Sequence, residues 1–394
     1  MPALASLVPP MRLLVSLAMR WLGLTRYCPT ARPNPVLARG LTALPRTKEK
    51  SPIMSLTIGV DVGGTKIAAG VVDEKGSIIE MVRRPTPAAN ASATVDVLSD
   101  VVCELLTRHE VEAVGIGAAG FVEETRSAVR FAPNLAWREE QVARQVEDRT
   151  RKPVFVENDA NAAAWAETKL GAGRGHDHVM LITIGTGIGA GVVLNGEVYR
   201  GRWGMAGEPG HYRVVPDGRL CGCGNRGCWE QYASGSALVA EAREFARRSP
   251  GAAVRLLQLA GGEPEGITGP EVMTAAREGD AAALRCFEII GGWLGAGLAD
   301  LAAILDPGCF VLGGGVSDAG DLFLDRVRSA FDDGLTGRQF RPHAAIVLAE
   351  LGPEAGLIGA ADLARHGHLA GPIGHVQPAD SVGHVQPAGQ TTAP

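Results

Sequence analysis

Four residues able to bind a soft metal ion stand close together in the chain. They lie in Gly207-Glu208-Pro-Gly210-His211 and Cys221-Gly-Cys223-Gly-Asn-Arg-Gly-Cys228-Trp-Glu230. One imidazole (His211) and three thiolates (Cys221, Cys223, Cys228) complete a tetrahedral set for Zn2+, and such a site, with no open position, is structural. The interleaved glycines permit the turns that gather the sulfurs. A disulfide between two of the three thiols is the alternative, disfavoured by the lack of secretory features. Zinc here would fix the neighbouring acids Glu208 and Glu230. His211 has two ring nitrogens, so one can bind metal while the other faces a ligand.

Three glycine clusters suit phosphate or nucleotide. Asp61-Val-Gly63-Gly64-Thr65-Lys66 puts an acid at a strand end, then two glycines, a hydroxyl and a cation. Backbone N–H groups there can close on phosphate oxygens, with Thr65 and Lys66 as further donors. Gly185-Thr186-Gly187-Ile-Gly189 repeats the arrangement, and Gly313-Gly314-Gly315 follows a third strand, where an adenine can lie against backbone. The first cluster alone is also compatible with an ordinary hairpin turn, and its spacing is not that of a P-loop. Gly115-Ile-Gly117-Ala-Ala-Gly120 matches the dinucleotide pattern literally, but it runs into a strand instead of a helix, which argues against a nicotinamide or flavin site.

Glu157-Asn158-Asp159-Ala-Asn161 sits between a strand and a helix start. A carboxylate at Asp159 can accept a proton from a substrate hydroxyl there. Asp159 is equally a good helix N-cap, and local sequence alone favours the cap.

These groups need a scaffold of strands ending in glycine turns. Leu56–Val62, Ile67–Val72 and Ser77–Val82 read as an antiparallel meander, followed by a helix over 92–109 and a strand Ala113–Ala118. A helix over 138–149, strand Val154–Val156 and helix Ala160–Leu170 complete the first set. The second set opens alike, with Val179–Ile184 and Ala190–Leu194, the latter leading into Asn195-Gly196, a type I′ hairpin pair, before Glu197–Tyr199. Helices follow at Ser236–Arg248, Gly269–Glu278 and Ala281–Leu305, then strand Cys309–Leu312 and a closing helix over 356–366.

A length of 394 residues exceeds what one core usually fills, so two lobes are expected. The net charge of −5 offers no field for a polyanion, which argues against nucleic acid. Seven cysteines, three of them clustered, suit a reducing compartment with one metal site. No apolar run approaches the roughly 20 residues that span a bilayer, so no membrane partner is expected. Residues 1–53 are rich in Arg and Pro with no acid before Glu49, a transit-peptide-like or disordered composition. Met54 stands just before the first strand, so translation starting there competes with a real targeting segment. Residues 367–394 repeat Gly-His-Val-Gln-Pro-Ala in a polar tail expected to be disordered.

Together the Gly-Glu-x-Gly-His and Cys-x-Cys-Gly-x-x-Gly-Cys-x-Glu segments closely resemble the ROK family (repressors, open reading frames, kinases), over roughly residues 55–366. Within it, Gly117-Ala-Ala-Gly120-Phe and Phe131-Ala-Pro-Asn134-Leu-Ala-Trp137 resemble bacterial glucokinases. The resemblance implies an α/β, two-lobed actin/hexokinase-like ATPase fold built on ribonuclease-H-like sheets around a central cleft. The lobes would be 54–165, closed by the helix at 356–366, and 166–355. It implies ATP- and Mg2+-dependent phosphorylation of the 6-hydroxyl of glucose or a related hexose, by a cytoplasmic homodimer or homotetramer. Asp159 would be the base, and Asn158, Glu208, His211 and Glu230 would hold the sugar. Asp61 would help to place Mg2+. Gly63, Gly64, Thr65, Lys66, Thr186 and Gly187 would hold phosphates, and Gly313, Gly314 and Gly315 would border adenosine.

Rival readings are another hexose kinase of the family (polyphosphate glucokinase, fructokinase or N-acetylmannosamine kinase) and a sugar-responsive repressor. The repressor branch adds a winged helix-turn-helix, for which residues 1–53 lack a paired helical pattern.

Overall fold

The computed structural model describes residues 55–370; the expectations for residues 1–53 and for the tail beyond 370 lie outside them. The first half opens with an antiparallel meander of β1 (Thr57–Val62), β2 (Lys66–Val72) and β3 (Ile78–Pro85). β4 (Val114–Ala118) lies parallel to β1. Three short strands, β5 (Phe121–Val122), β6 (Val129–Phe131) and β7 (Arg138–Glu140), form a small sheet of their own, and β8 (Val154–Asn158) then lies parallel to β4.

The second half repeats this plan. β9 (Val179–Ile184), β10 (Ile188–Leu194) and β11 (Glu197–Val198) form the meander, and β12 (Cys309–Gly313) and β13 (Ala345–Leu348) add parallel strands. The sheet orders are β3-β2-β1-β4-β8 and β11-β10-β9-β12-β13. Two copies of one topology make the expected two-lobed actin/hexokinase-like fold. Asn195 and Gly196 have φ of 54° and 76°, as a type I′ turn requires.

Each sheet has its own core. Ile58, Val60, Ile116 and Val156 pack with Leu98 and Trp137 in the first, and Ile182, Ile184 and Phe310 pack with Trp229, Phe287 and Phe323 in the second. Central parallel strands covered on both faces read as continuous apolar runs, which is why β1, β4, β9 and β12 were legible.

Two helices join the halves, Asp159–Lys169 and Ala355–Ala370, and they pack against each other. The second also lies on the first sheet at a separation only glycine allows: a Cβ on Gly59 would sit 2.0 Å from Leu357 O, and one on Gly115 1.8 Å from Ala360 O. Gly115, the first of the dinucleotide-like glycines, thus serves helix-to-sheet packing, while Gly120 lies against Phe131 O.

Several expectations are corrected. The helix expected from 138 begins at Val142, because Arg138–Glu140 is β7. Residues 367–370, expected in the tail, continue the last helix. Helix Asp321–Gly334 and β13 had not been anticipated. Helix Ala281–Leu305 is long and apolar enough, by length and composition, to cross a membrane. Its Phe287, Ile290, Leu294 and Leu298 are buried in the second core.

Candidate active site and metal centre

β8 runs beside β4 and ends at Asn158, where the chain turns directly into a helix. Asn158 is extended (φ −63°, ψ 141°), and its Oδ1 accepts the Asn161 N–H at 3.0 Å while its Nδ2 donates to Gly120 O at 3.2 Å. The cap is therefore Asn158, and the alternative role weighed for Asp159 falls away. Asp159 is the first helical residue, with Oδ1 accepting the adjacent Ala160 N–H at 2.9 Å. Burial raises its carboxyl above the usual range, and hydrogen bonds only partly offset this.

Asp159 lines a cavity of about 440 Å3 with Asp61, Thr183, Gly313, Gly314 and Gly315. Asp61 is the last residue but one of β1, in register with Gly117 of β4. Burial and then the Asp159 charge push the Asp61 carboxyl up to about 6, against the opposing pull of Lys66. A second cavity, of about 1210 Å3, is lined by Gly185, Thr186, Gly235, Ser236, Met273, Gly315 and Val316. Gly315 and Asp318 border both, so the two spaces meet there. A Cβ at Gly185 or Gly315 would meet nothing within 4 Å, which leaves both faces open.

Each glycine turn closes on a backbone hydrogen bond, the second one residue tighter: Gly63 N–H donates to Lys66 O at 3.1 Å, and Gly185 N–H to Gly187 O at 3.0 Å. Gly63, Gly64, Thr65 and Lys66 border neither cavity, although Lys66 acts on Asp61 by its charge. Gly187 abuts Glu230 instead, since a Cβ there would lie 2.5 Å from Glu230 Oε2.

Glu208, His211 and Glu230 also lie outside the two cavity linings. Glu208 precedes the short turn of helix Pro209–His211, and Glu230 opens helix Glu230–Ala233. Burial raises the Glu208 carboxyl; His211 opposes this, and Asp159 and Glu230 add to it. Glu208 is thereby within electrostatic reach of Asp159.

A ring nitrogen of His211 and the sulfurs of Cys221, Cys223 and Cys228 all lie within 4.8 Å of one another. Cys223 and Cys228 sulfurs are 3.6 Å apart, as are Cys221 Sγ and His211 Nδ1. An ion bound at about 2.3 Å to sulfur and about 2.0 Å to nitrogen spaces tetrahedral ligands roughly 3.5–3.8 Å apart, so the four groups fit zinc. The three thiols are free, without the alternative disulfide. Glu230 Oε1 lies 2.9 Å from Cys221 Sγ, tying that acid to the cluster.

Sequence reading missed Glu167. At the far end of the helix that Asp159 begins, its buried carboxylate accepts N–H groups of Ala172, Glu350 and Leu351 at 2.8–3.2 Å and lines the smaller cavity. Its partners lie up to 184 positions away, so no local pattern marks it.

The family model described as ROK family matches residues 57–367. The glucokinase of Streptomyces coelicolor is 53% identical over 312 residues, covering 79% of this chain and 98% of that protein. The glucokinase of Thermotoga maritima is 37% identical, covering 78% and 96%. A solved ROK family glucokinase from Streptomyces griseus, in complex with glucose and AMPPNP, is 54% identical, covers 79% of this chain and all of that one, and superposes with a TM-score of 0.72. On the extent of these matches and on its twin sheets and Cys/His cluster, the chain belongs to the ROK family.

Proposed function

We propose that this protein is an ATP- and Mg2+-dependent glucokinase, transferring the terminal phosphoryl group of ATP to the 6-hydroxyl of glucose. The observation that carries the reading is the setting of Asp159. It is a half-buried carboxylate relieved of capping, on a cavity that also holds Asp61 and Gly313–Gly315, and its charge reaches Glu208. The likeness to glucokinases at 53% and 54% identity supports the same substrates.

Asp159 accepts the proton of the sugar 6-hydroxyl, and its raised pKa makes it a better base than an ordinary aspartate. Asn158, Glu208, Glu230 and His211 hold the ring hydroxyls. His211 does so through Nε2, because Nδ1 faces the sulfurs. The backbone of Gly63–Gly64, with Thr65 and Lys66, and that of Thr186–Gly187 hold phosphates. Adenosine occupies the larger cavity, bordered by the Gly313–Gly315 turn at Gly315.

Asp61 and Asp159 on one cavity, with Lys66 as the cation acting on Asp61, suit a divalent cation. When bound, Mg2+ would neutralise charge on the phosphoryl groups. Asp61 is the residue that would hold it. His211, Cys221, Cys223 and Cys228 would hold Zn2+, which would brace the loop and take no part in the transfer.

The two lobes, 54–165 and 166–355, close on the sugar and so keep water from the phosphoryl group. A cytoplasmic setting suits the free thiols of the described cysteines. The active form is a homodimer or homotetramer.

The test is a panel of hexoses against ATP and polyphosphate, scored by kcat/KM. Highest values for glucose with ATP are expected. A preference for fructose, N-acetylmannosamine or polyphosphate would overturn the assignment.

A further inference from the structure

Glu157, immediately before Asn158 and Asp159, is buried and sits at the centre of an ion cluster. Its Oε1 accepts the N–H of Asn158 at 2.9 Å, Nδ2 of Asn161 at 3.1 Å and Nε of Arg200 at 3.1 Å. Its Oε2 lies 3.1 Å from Nε of Arg126 and 3.0 Å from that of Arg200.

Arg200 follows β11 and leads into the loop that ends at Glu208. The rest of its guanidinium is spent on the turn between β5 and β6. Nη1 donates to Glu124 O at 2.9 Å, and Nη2 to Glu123 O at 2.8 Å and Val122 O at 3.3 Å. Gly204 of the same loop lies on that turn too: at φ +78°, a Cβ would fall 2.3 Å from Val122 O. One side chain and one glycine thus fasten the loop to the first half of the molecule.

Two polar atoms in this cluster have no hydrogen-bond partner: Glu157 Oε2, which has only its ion-pair contacts with Arg126 and Arg200, and Asn161 Oδ1. Asn161 is 1% exposed, and its Oδ1 accepts no hydrogen bond. It faces Gly207, whose added Cβ would lie 3.9 Å away. A buried carbonyl left unpaired costs stability until a donor arrives.

We infer that Arg200 and Glu157 are positioning residues for the sugar, fastening the loop that carries Glu208 and His211 to the segment that carries Asn158 and Asp159. Asn161 Oδ1 is the acceptor that the Gly207–Glu208 backbone takes up when sugar draws the loop inward. The inference rests on the glucokinase reading. A guanidinium is required because one planar fork must serve a carboxylate and three carbonyls, which an ammonium cannot do at once.

The test compares Arg200→Lys and Gly204→Ala with wild type, by calorimetric titration of glucose without nucleotide, by KM for glucose and for ATP, and by zinc content. Charge-assisted hydrogen bonds of this kind correspond to roughly ten- to hundredfold in affinity. Both variants are expected to weaken glucose binding and raise its KM by about that factor, leaving the ATP KM within about twofold and zinc at the wild-type level. Glucose affinity unchanged in both, or glucose and ATP affinities falling in parallel, overturns the proposal. Gly204→Ala loosens the contact from the opposite side with Arg200 intact, so failure of one variant to fold leaves the other to decide. A wild-type chain that phosphorylates no hexose overturns the functional reading and this proposal with it. A working wild type with unaltered variants overturns this proposal alone.

Discussion

Asp61, near the end of β1, and Asp159, at the start of the helix after β8, face one cavity, and the second carboxylate helps burial push the first up to about 6. The usual value is 3.8, so the folded state holds the Asp61 proton more tightly than the unfolded chain does. Ionising this group therefore opposes folding.

The sign fixes the pH window. The Asp61 contribution is most favourable below 3.8, declines as pH rises, and is fully unfavourable above about 6. Tm of the ligand-free protein is expected to carry that downward slope, and Asp61→Asn to flatten it and to raise Tm at pH 7.5. Activity falls in the same variant. Superimposable Tm profiles for variant and wild type would contradict the assigned environment.

Replacing Cys228 or Cys221 by Ser is expected to remove about one zinc ion per chain, read by elemental analysis. Glu230 loses its anchor at Cys221, so glucose KM rises while ATP KM changes little. Active wild-type protein without zinc would rule out the metal centre.

Gly115→Ala tests the packing role of this dinucleotide-like glycine. With Ala360 O 1.8 Å from the new Cβ, backbone must shift, and a loss of about 1–3 kcal/mol or more is expected in denaturant unfolding. Stability equal to wild type, with weakened nucleotide binding, would restore the ligand role.

Much of this architecture could be read from residues alone. β1 and β9 are apolar runs that stop at glycine turns, and Asn195-Gly196 admits few conformations besides the tight turn it forms. The Cys/His cluster was legible because its spacing is local. β7 was not, since Arg138-Glu-Glu140 is a short charged strand without period, and Glu139 is left-handed at φ 49°. Asn158 and Asp159 are both good caps, and only coordinates assign the task to the first. The Glu157–Arg200 link spans 43 positions, a pairing that neither periodicity nor motif can encode.

Burial also predicts where the acid limb of the rate profile falls. Asp159 must be ionised to take a proton, and its pKa is raised, so kcat/KM is expected to decline with acid from a pH above the ordinary carboxylate range. A limb at or below that range would show the carboxylate to be well solvated or not to be the base.

The most direct measurement is turnover of Asp159→Asn with glucose and ATP, alongside calorimetric binding of each substrate. The expected result is a fall in kcat of roughly 10²- to 10⁴-fold, with both substrates still bound and folding intact. Turnover near that of wild type would contradict the account.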